Sequence, residues 1–406
     1  GASAPADGGG GGGGGGGQYG SVGGGTFPYG AERAGYGGYR GGNAVTGATG
    51  IFENAYISWT NGGKVEISYG YPVSGGTVSS DQTICSGTQP SPLNVTGFYG
   101  TSLQWQYSDD NNSWNDISGA TTTQLSMAQM GSLTQDRWYR LQVDGGAAVS
   151  NSIKVTVFAG PVSVMPAGDG TEEDPYLISS FEELLWIGED PSRFDKYYKQ
   201  TADIDAVVTS TSCYNSGQGW LPIGSEYDAF TGNYDGNGHT ISNLYINRTN
   251  ELYSGLFGNC SNVTIKNLML KDVNISGARY VAPFAPYANG TCTFSKLGSS
   301  GSINGSGYTG YDEIYMGGIA GYLQCNGGTV VDQSFSIANI TNHGDAFYHY
   351  NGGLVAAADQ TAFTNSYYIG TIWDDMNGMI QYTGGIAGVS NGGSLSKLYV
   401  SADLNA

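Results

Sequence analysis

The chain has 406 residues, enough for two or three domains with cores of their own. Glycine (69) and tyrosine (30) abound while only 12% of residues are charged, a composition of all-β or repetitive folds and not of helical bundles. A formal charge of −19 argues against nucleic acid, whose phosphates call for clustered Lys and Arg; no apolar run reaches the roughly 20 residues of a membrane span.

The first zone, 1–72, contains an unbroken Gly8–Gly17 followed by QYGSVGGG and YGGYRGG. Such a run is either a flexible linker or packed polyglycine, in which left-handed threefold helices lie side by side with no side chains to hold them apart. The expected fold is the packed glycine-rich module. It closes on IFENAYISWTNGGKVEISYGY, two alternating segments around Asn61-Gly62-Gly63 that predict a β-hairpin. The opening GASAPADGGG has neither the basic nor the apolar region of a signal peptide, so a leader is expected to have been removed or the chain to be part of a longer one.

The second zone, 73–160, alternates apolar and polar residues in TSLQWQYS, DRWYRLQV and NSIKVTV, with turn residues in SDDNNSWNDISGA between them. The order ICSGTQP, LQWQYSDDNNSWNDISGAT, LTQDRWYRLQV resembles the immunoglobulin-like repeats of large Bacteroidota surface adhesins. The resemblance implies a β-sandwich with Trp105 in the core and Tyr139 or Trp138 facing it from the opposite sheet.

The third zone, 161–406, has a lead-in (163–250) and then repeats (251–406). SGLFG (254–258), VAPFA (281–285), GGIAG (317–321), GGLVA (352–356) and GGIAG (384–388) start 27, 36, 35 and 32 residues apart. Each is followed by an alternating segment such as VTIKNLML or SLSKLYV, the pattern of a parallel β-solenoid burying its aliphatic positions along a shared axis. GLFGNCSNVTIKNLMLKDVNISG and GGIAGVSNGGSLSKLYV look like the GLUG-type repeat of secreted and surface proteins. In the lead-in, Ser180-Phe-Glu-Glu183 forms a capping box, and Phe181, Leu184, Leu185 and Ile187 predict a short helix over the first coil. The last residues fall inside a coil with no cap, so truncation or continued sequence is expected there.

Candidate chemistry is sparse. Asp235, Asn237 and His239 in YDGNGHT read as a corner, since Gly236, Gly238 and Asn237 tolerate positive φ. HExxH and GxSxG are absent. Asp312–Glu313 and Asp374–Asp375 are expected in solvated loops. No cofactor is expected; Asp169, Glu172 and Asp174 of AGDGTEEDP are a weak candidate for structural calcium and read as a turn. Of the five cysteines (85, 213, 260, 292, 325), Cys260, Cys292 and Cys325 follow the small-residue motif in consecutive coils, so one disulfide, Cys292 with Cys260 or Cys325, is open. The stronger signal is three insertions, 305–316, 343–351 and 373–383, expected as loops on one face. They carry Tyr308, Tyr311, Tyr315, Phe347, Tyr348, Tyr350, Trp373 and Tyr382, candidates to stack on sugar rings or anchor a protein.

The expected protein is all-β and extracellular or on the cell surface: a glycine-rich module, a sandwich and a capped solenoid in series. The resemblances imply an adhesin-like role and type IX export, with a glycan or protein ligand, other copies of itself or further domains as partners and no catalytic residues. A filament or sheath subunit and a polysaccharide-active β-helix enzyme are the alternatives.

Overall fold

The computed structural model describes residues 72–306, 312–375 and 380–405, with the backbone of two further strands, Ala55–Trp59 and Val65–Tyr69. These two pair antiparallel, Ala55 opposite Tyr69 and Trp59 opposite Val65, as the hairpin prediction requires. The expected polyglycine packing lies outside the described residues.

The chain divides into two compact units, Gly1–Val157 and Phe158–Ala406. In the first, two antiparallel sheets share one core. The larger runs in spatial order Gln82–Cys85, Ile153–Phe158, Arg137–Val143, Leu103–Ser108, Asn115–Asp116, and the smaller Ser74–Val78, Leu93–Tyr99, Gln124–Leu125. Trp105 is fully buried between them and donates its indole N–H to the Thr122 carbonyl at 2.8 Å. The expected partner across the core is corrected. The strands carrying Trp105 and Tyr139 are neighbours in one sheet, with Tyr107 opposite Tyr139, so Tyr139 enters the core from the same side. Alternation then turns Trp138 outward, where Lys154 Nζ lies 5.1 Å from its ring centre.

The second unit is a parallel β-solenoid. Two five-stranded sheets and one long sheet follow the coils. The first face consists of Tyr253–Ser254, Tyr280–Val281, Glu313–Gly317, Tyr348–Gly352 and Ile380–Gly384. The second consists of Asn259–Ser261, Ala285–Gly290, Ala320–Cys325, Val355–Asp359 and Ala387–Asn391. Thr264–Gly277 and Thr293–Ser306 begin the long face within the repeats. The axis is lined by columns of buried side chains, among them Ile265, Phe294, Val331 and Phe363 in one register, and Leu256, Phe284, Ile319 and Leu354 in another.

Two local features explain why this sequence winds. Where the first face meets the second, Gly317, Gly352 and Gly384 stack in register, and a Cβ there would lie within 2.0 Å of the Ala320, Val355 or Ala387 carbonyl oxygen. In these three coils only glycine fits the corner, whereas Ala282 holds the same register position in the second coil. On the long face, Asn267, Lys296, Gln333, Asn365 and Lys397 share one register and all have positive φ, between 47° and 54°. Each bends its coil at the same position around the axis.

The expected insertion loops are corrected here. They contribute the strands of the first face, Glu313–Gly317, Tyr348–Gly352 and Ile380–Gly384, which pair coil upon coil, while 305–306, 343 and 373–374 end strands of the long face. The physical reason is the period of two in DEIYM, FYHYN and IQYT, which places Tyr315, Tyr350 and Tyr382 outside while Ile314, Met316, His349 and Asn351 enter the interior. Tyr308 and Tyr311 lie outside the described residues.

The helix Phe181–Gly188 forms as predicted, with Ser180 Oγ accepting from the Glu183 amide at 3.2 Å. The return bond of the box shifts by one residue, because Glu183 accepts from the amide and hydroxyl of Ser179. Phe181, Leu184 and Ile187 are buried, and Phe181 meets Trp220 edge-on with ring centres 5.7 Å apart. No helix among the described residues is long and apolar enough to cross a membrane.

Candidate functional site

The first face carries an unbroken stack of tyrosines. Tyr253, Tyr280, Tyr315, Tyr350 and Tyr382 occupy one register through five coils. Their ring centres are 5.6, 5.1, 4.5 and 4.9 Å apart, with interplanar angles of 16°, 18°, 4° and 10°. A signal for this ladder was present in the repeats: tyrosine stands two residues before the small-residue position each time, in YSG, YVA, YMG, YNG and YTG.

The ladder changes what the predicted aromatics can do. Tyr315 is 5% exposed and Tyr382 39%. In such a stack each ring face meets a neighbouring tyrosine, so inside the ladder only edges and hydroxyls are turned outward. Phe347 packs against Tyr348 with ring centres 4.8 Å apart, and Tyr348 lies beside Tyr350. Trp373 belongs to the long face, on the strand Tyr367–Asp374, and the solvent-exposed indole is not part of the ladder. The candidates therefore form one continuous row plus two neighbours, with Trp373 separate.

Beside the ladder runs a second register row: Asn259, Tyr287, Tyr322, Ala357 and Val389. Between the rows, on coils one to three, is an open groove of about 490 Å³ lined by Tyr253, Tyr280, Tyr287, Tyr315 and Tyr322 together with Glu226, Asn259, Arg279, Asn289, Glu313 and Gln324. Arg279 Nη2 donates to Glu313 Oε2 at 2.9 Å, and its guanidinium carbon lies 4.9 Å from the Tyr280 ring centre. The Tyr287 hydroxyl donates to Gln324 Oε1, and Tyr322 donates to Asp359 Oδ2 at 2.9 Å. Burial pushes the Tyr280 phenol up to about 12; burial, followed by the Glu313 carboxylate, raises Tyr315 in the same direction. Of these groove residues the sequence marks Tyr315 and Glu313, the latter expected in a solvated loop but found on the strand Glu313–Gly317 and paired with Arg279; Arg279, Asn259 and Tyr287 belong to different rows and converge only after winding.

The other candidates resolve into structural contacts. Asp235 Oδ1 accepts from the Asn237 amide and from Asn267 Nδ2 of the next coil, both at 2.8 Å, and Asn237 has φ 53°. His239 Nδ1 lies 3.3 Å from Asp203. The motif turns a corner, as expected. Asp169 accepts from the Thr171 amide and hydroxyl at 2.9 and 2.7 Å, which again is turn geometry. Among the described residues no three His, Cys, Asp or Glu side chains come together as a metal-binding group.

Two expectations are overturned. Asp374 is not in a solvated loop: the alternation of the long face turns it inward, where it meets His349 Nδ1 at 2.9 Å, Asn351 Nδ2 at 2.7 Å and Gln381 Nε2 at 3.3 Å. His349 is fully enclosed and Asp374 nearly so, which seals the pair from solvent. The disulfide of Cys292 with Cys260 or Cys325 is absent; all three are buried free thiols. The three are not equivalent rung positions, for Cys260 is in register with Ala288 and Cys325 with Gly290, while Cys292 begins the turn into the long face and donates to the Asn289 carbonyl at 3.2 Å.

Residues 74–159, in the two-sheet unit, match a family profile described as "Domain of unknown function (DUF8696)". The chain is 32% identical over 212 residues, 48% of its length, to a protein named Halomucin from Haloquadratum walsbyi, of which 2% is covered. It is also 32% identical over 140 residues, 34% of its length, to a "Putative Gly-rich membrane protein" of Evansella cellulosilytica, of which 15% is covered. The chain thus spans only a small part of either relative.

Proposed function

We propose that this chain is a segment of a cell-surface or secreted protein in which the solenoid is a stiff, non-catalytic spacer presenting the tyrosine face to a ligand. The observation that carries the reading is the in-register stacking of five coils with one tyrosine row exposed along its edges. At about 4.8 Å per coil this face is a rigid strip on the order of 20 Å long. Its flatness and stacked aromatics suit adhesion. The one buried His–carboxylate pair among the described residues, His349 with Asp374, is sealed from solvent and serves packing. The names of the two relatives, Halomucin and a putative Gly-rich membrane protein, support a surface setting. The net charge of −19 suits a solvated exterior.

The test is protease shaving of intact cells that produce the native protein, followed by peptide detection in the supernatant. Release of solenoid peptides without lysis is the expected result. Retention of the whole protein inside shaved cells would overturn the reading.

A further inference from the structure

We infer that the groove beside the tyrosine ladder is a binding site for a neutral sugar ring of a glycan chain, centred on Asn259, Tyr287 and Arg279; this rests on the surface-binding reading above and names its ligand class.

The groove arises from one change along a row. Tyr287 and Tyr322 fill the second row on the second and third coils, but its first position is Asn259. A tyrosine is missing there, and the surface steps down between Tyr253 and Tyr287, whose rings meet at 46° with centres 6.1 Å apart. The volume of about 490 Å³ falls within the range of small-ligand sites, about 300–1,000 Å³.

The chemistry of the lining selects the ligand. Asn259 is nine-tenths buried, and its Oδ1 has no hydrogen-bond partner among the described residues. An orphaned carbonyl of this kind needs a donor. Asn289 Oδ1 already accepts from Ser261 Oγ at 2.7 Å and its side chain also bonds the Tyr287 phenol, while Gln324 Oε1 accepts from the Tyr287 hydroxyl, which leaves the Gln324 NH₂ group to donate. The one guanidinium in the lining is paired with Glu313, and Glu226 adds a further carboxylate, so an anion gains no unpaired cation there. A ligand must therefore donate to Asn259, accept from the Gln324 amide, carry no negative charge and lay an apolar surface against aromatic walls. A pyranose does all four: its hydroxyls donate and accept, and its C–H face fits a tyrosine ring.

The experiment uses the full chain and saturation-transfer NMR with cellotetraose, maltotetraose, β-1,4-galactotetraose and chitotetraose as probes, and tetragalacturonate as the charged comparison. Saturable transfer from at least one neutral probe is expected, with Asn259→Leu and Tyr287→Ala each weakening binding about tenfold, the value of one lost hydrogen bond or wall. Tyr399→Ala, at an exposed position on the strand Tyr399–Asn405 of the long face and outside the tyrosine row, is expected to leave it unchanged. Should Asn259→Leu fail to fold, labelled tyrosines of the unaltered protein report instead: the Tyr280 and Tyr287 signals shift on titration and that of the exposed Tyr227 does not. Binding to none of the neutral probes, binding to the charged probe alone, or binding unaffected by Asn259→Leu would each overturn the site. Surface release by protease with blindness to every sugar would overturn this site and leave the surface reading standing.

Discussion

Tyr315 and Tyr350, 35 residues apart in sequence, stack with ring centres 4.5 Å apart and planes within 4° of parallel. Each tyrosine in the row also fixes its neighbours, so the ladder acts as a register lock: slipping one coil by a residue would send the tyrosine inward and an aliphatic outward. Removing the buried Tyr315 as Tyr315→Ala is expected to cost about 3–5 kcal/mol, a large aromatic lost from a filled site. Tyr382→Ala, at an exposed residue stacked on Tyr350, is expected to cost about 1 kcal/mol. Urea unfolding followed by tyrosine fluorescence checks both; equal costs for the two would show that stacking contributes little.

The same phenols make the solenoid sensitive to alkali. The folded-state pKa of Tyr280 is raised from 10.0 to about 12, chiefly by burial, and burial moves Tyr322 and Tyr350 in the same direction. A raised pKa means the neutral phenol is favoured in the fold. That stability is therefore fully present below pH 10 and is lost as pH rises through about 12. Ultraviolet phenolate absorbance should show a late cooperative step that coincides with loss of the β-sheet circular dichroism. A single early step with the sheet signal intact would refute it.

What was legible in the residues was whatever repeats. The small-residue motif, the alternating segments and the corner at Asn237 follow from periods and turn chemistry, and they predict the coil. The insertions misled because length alone marks a loop, whereas the alternation Tyr348-His349-Tyr350 within them marks a strand. Asp374 misled because paired acids are usually solvated, and only the register of the long face turns one of the two inward. The groove was illegible for a different reason. Arg279, Asn259, Tyr287 and Glu313 meet across coils, and no spacing within one coil announces contacts between neighbours.

The cysteines give a chemical check on the winding. Burial raises the pKa of the Cys260 thiol, while the hydrogen bond with Cys325, followed by burial, raises that of Cys292. A thiol that is both protonated and enclosed is a poor nucleophile. Cys260 and Cys292 should therefore resist a water-soluble thiol reagent in the native protein and react fully in denaturant, with the modified residues assigned by peptide mapping; the hydrogen bond with Cys292 lowers the pKa of the Cys325 thiol instead, so Cys325 is shielded by its burial alone. Recovery of a Cys292–Cys325 disulfide peptide from unreduced protein would contradict the free thiols seen here.

His349 and Asp374 provide the most demanding test of the interior. The two are wholly enclosed, and Asn351, itself bonded to Asn342 at 3.0 Å, joins them to the coil below. Replacing one member leaves a buried polar group without its partner, so Asp374→Leu or His349→Leu alone should cost about 3–5 kcal/mol. Replacing both, His349→Leu with Asp374→Leu, removes the mismatch between them and should cost clearly less than the sum of the single changes, although Asn351 and Gln381 lose their acceptor. Denaturant melts of the three variants close the cycle. Strict additivity would mean the two side chains contribute independently, and the close contact at 2.9 Å would then be incidental to stability.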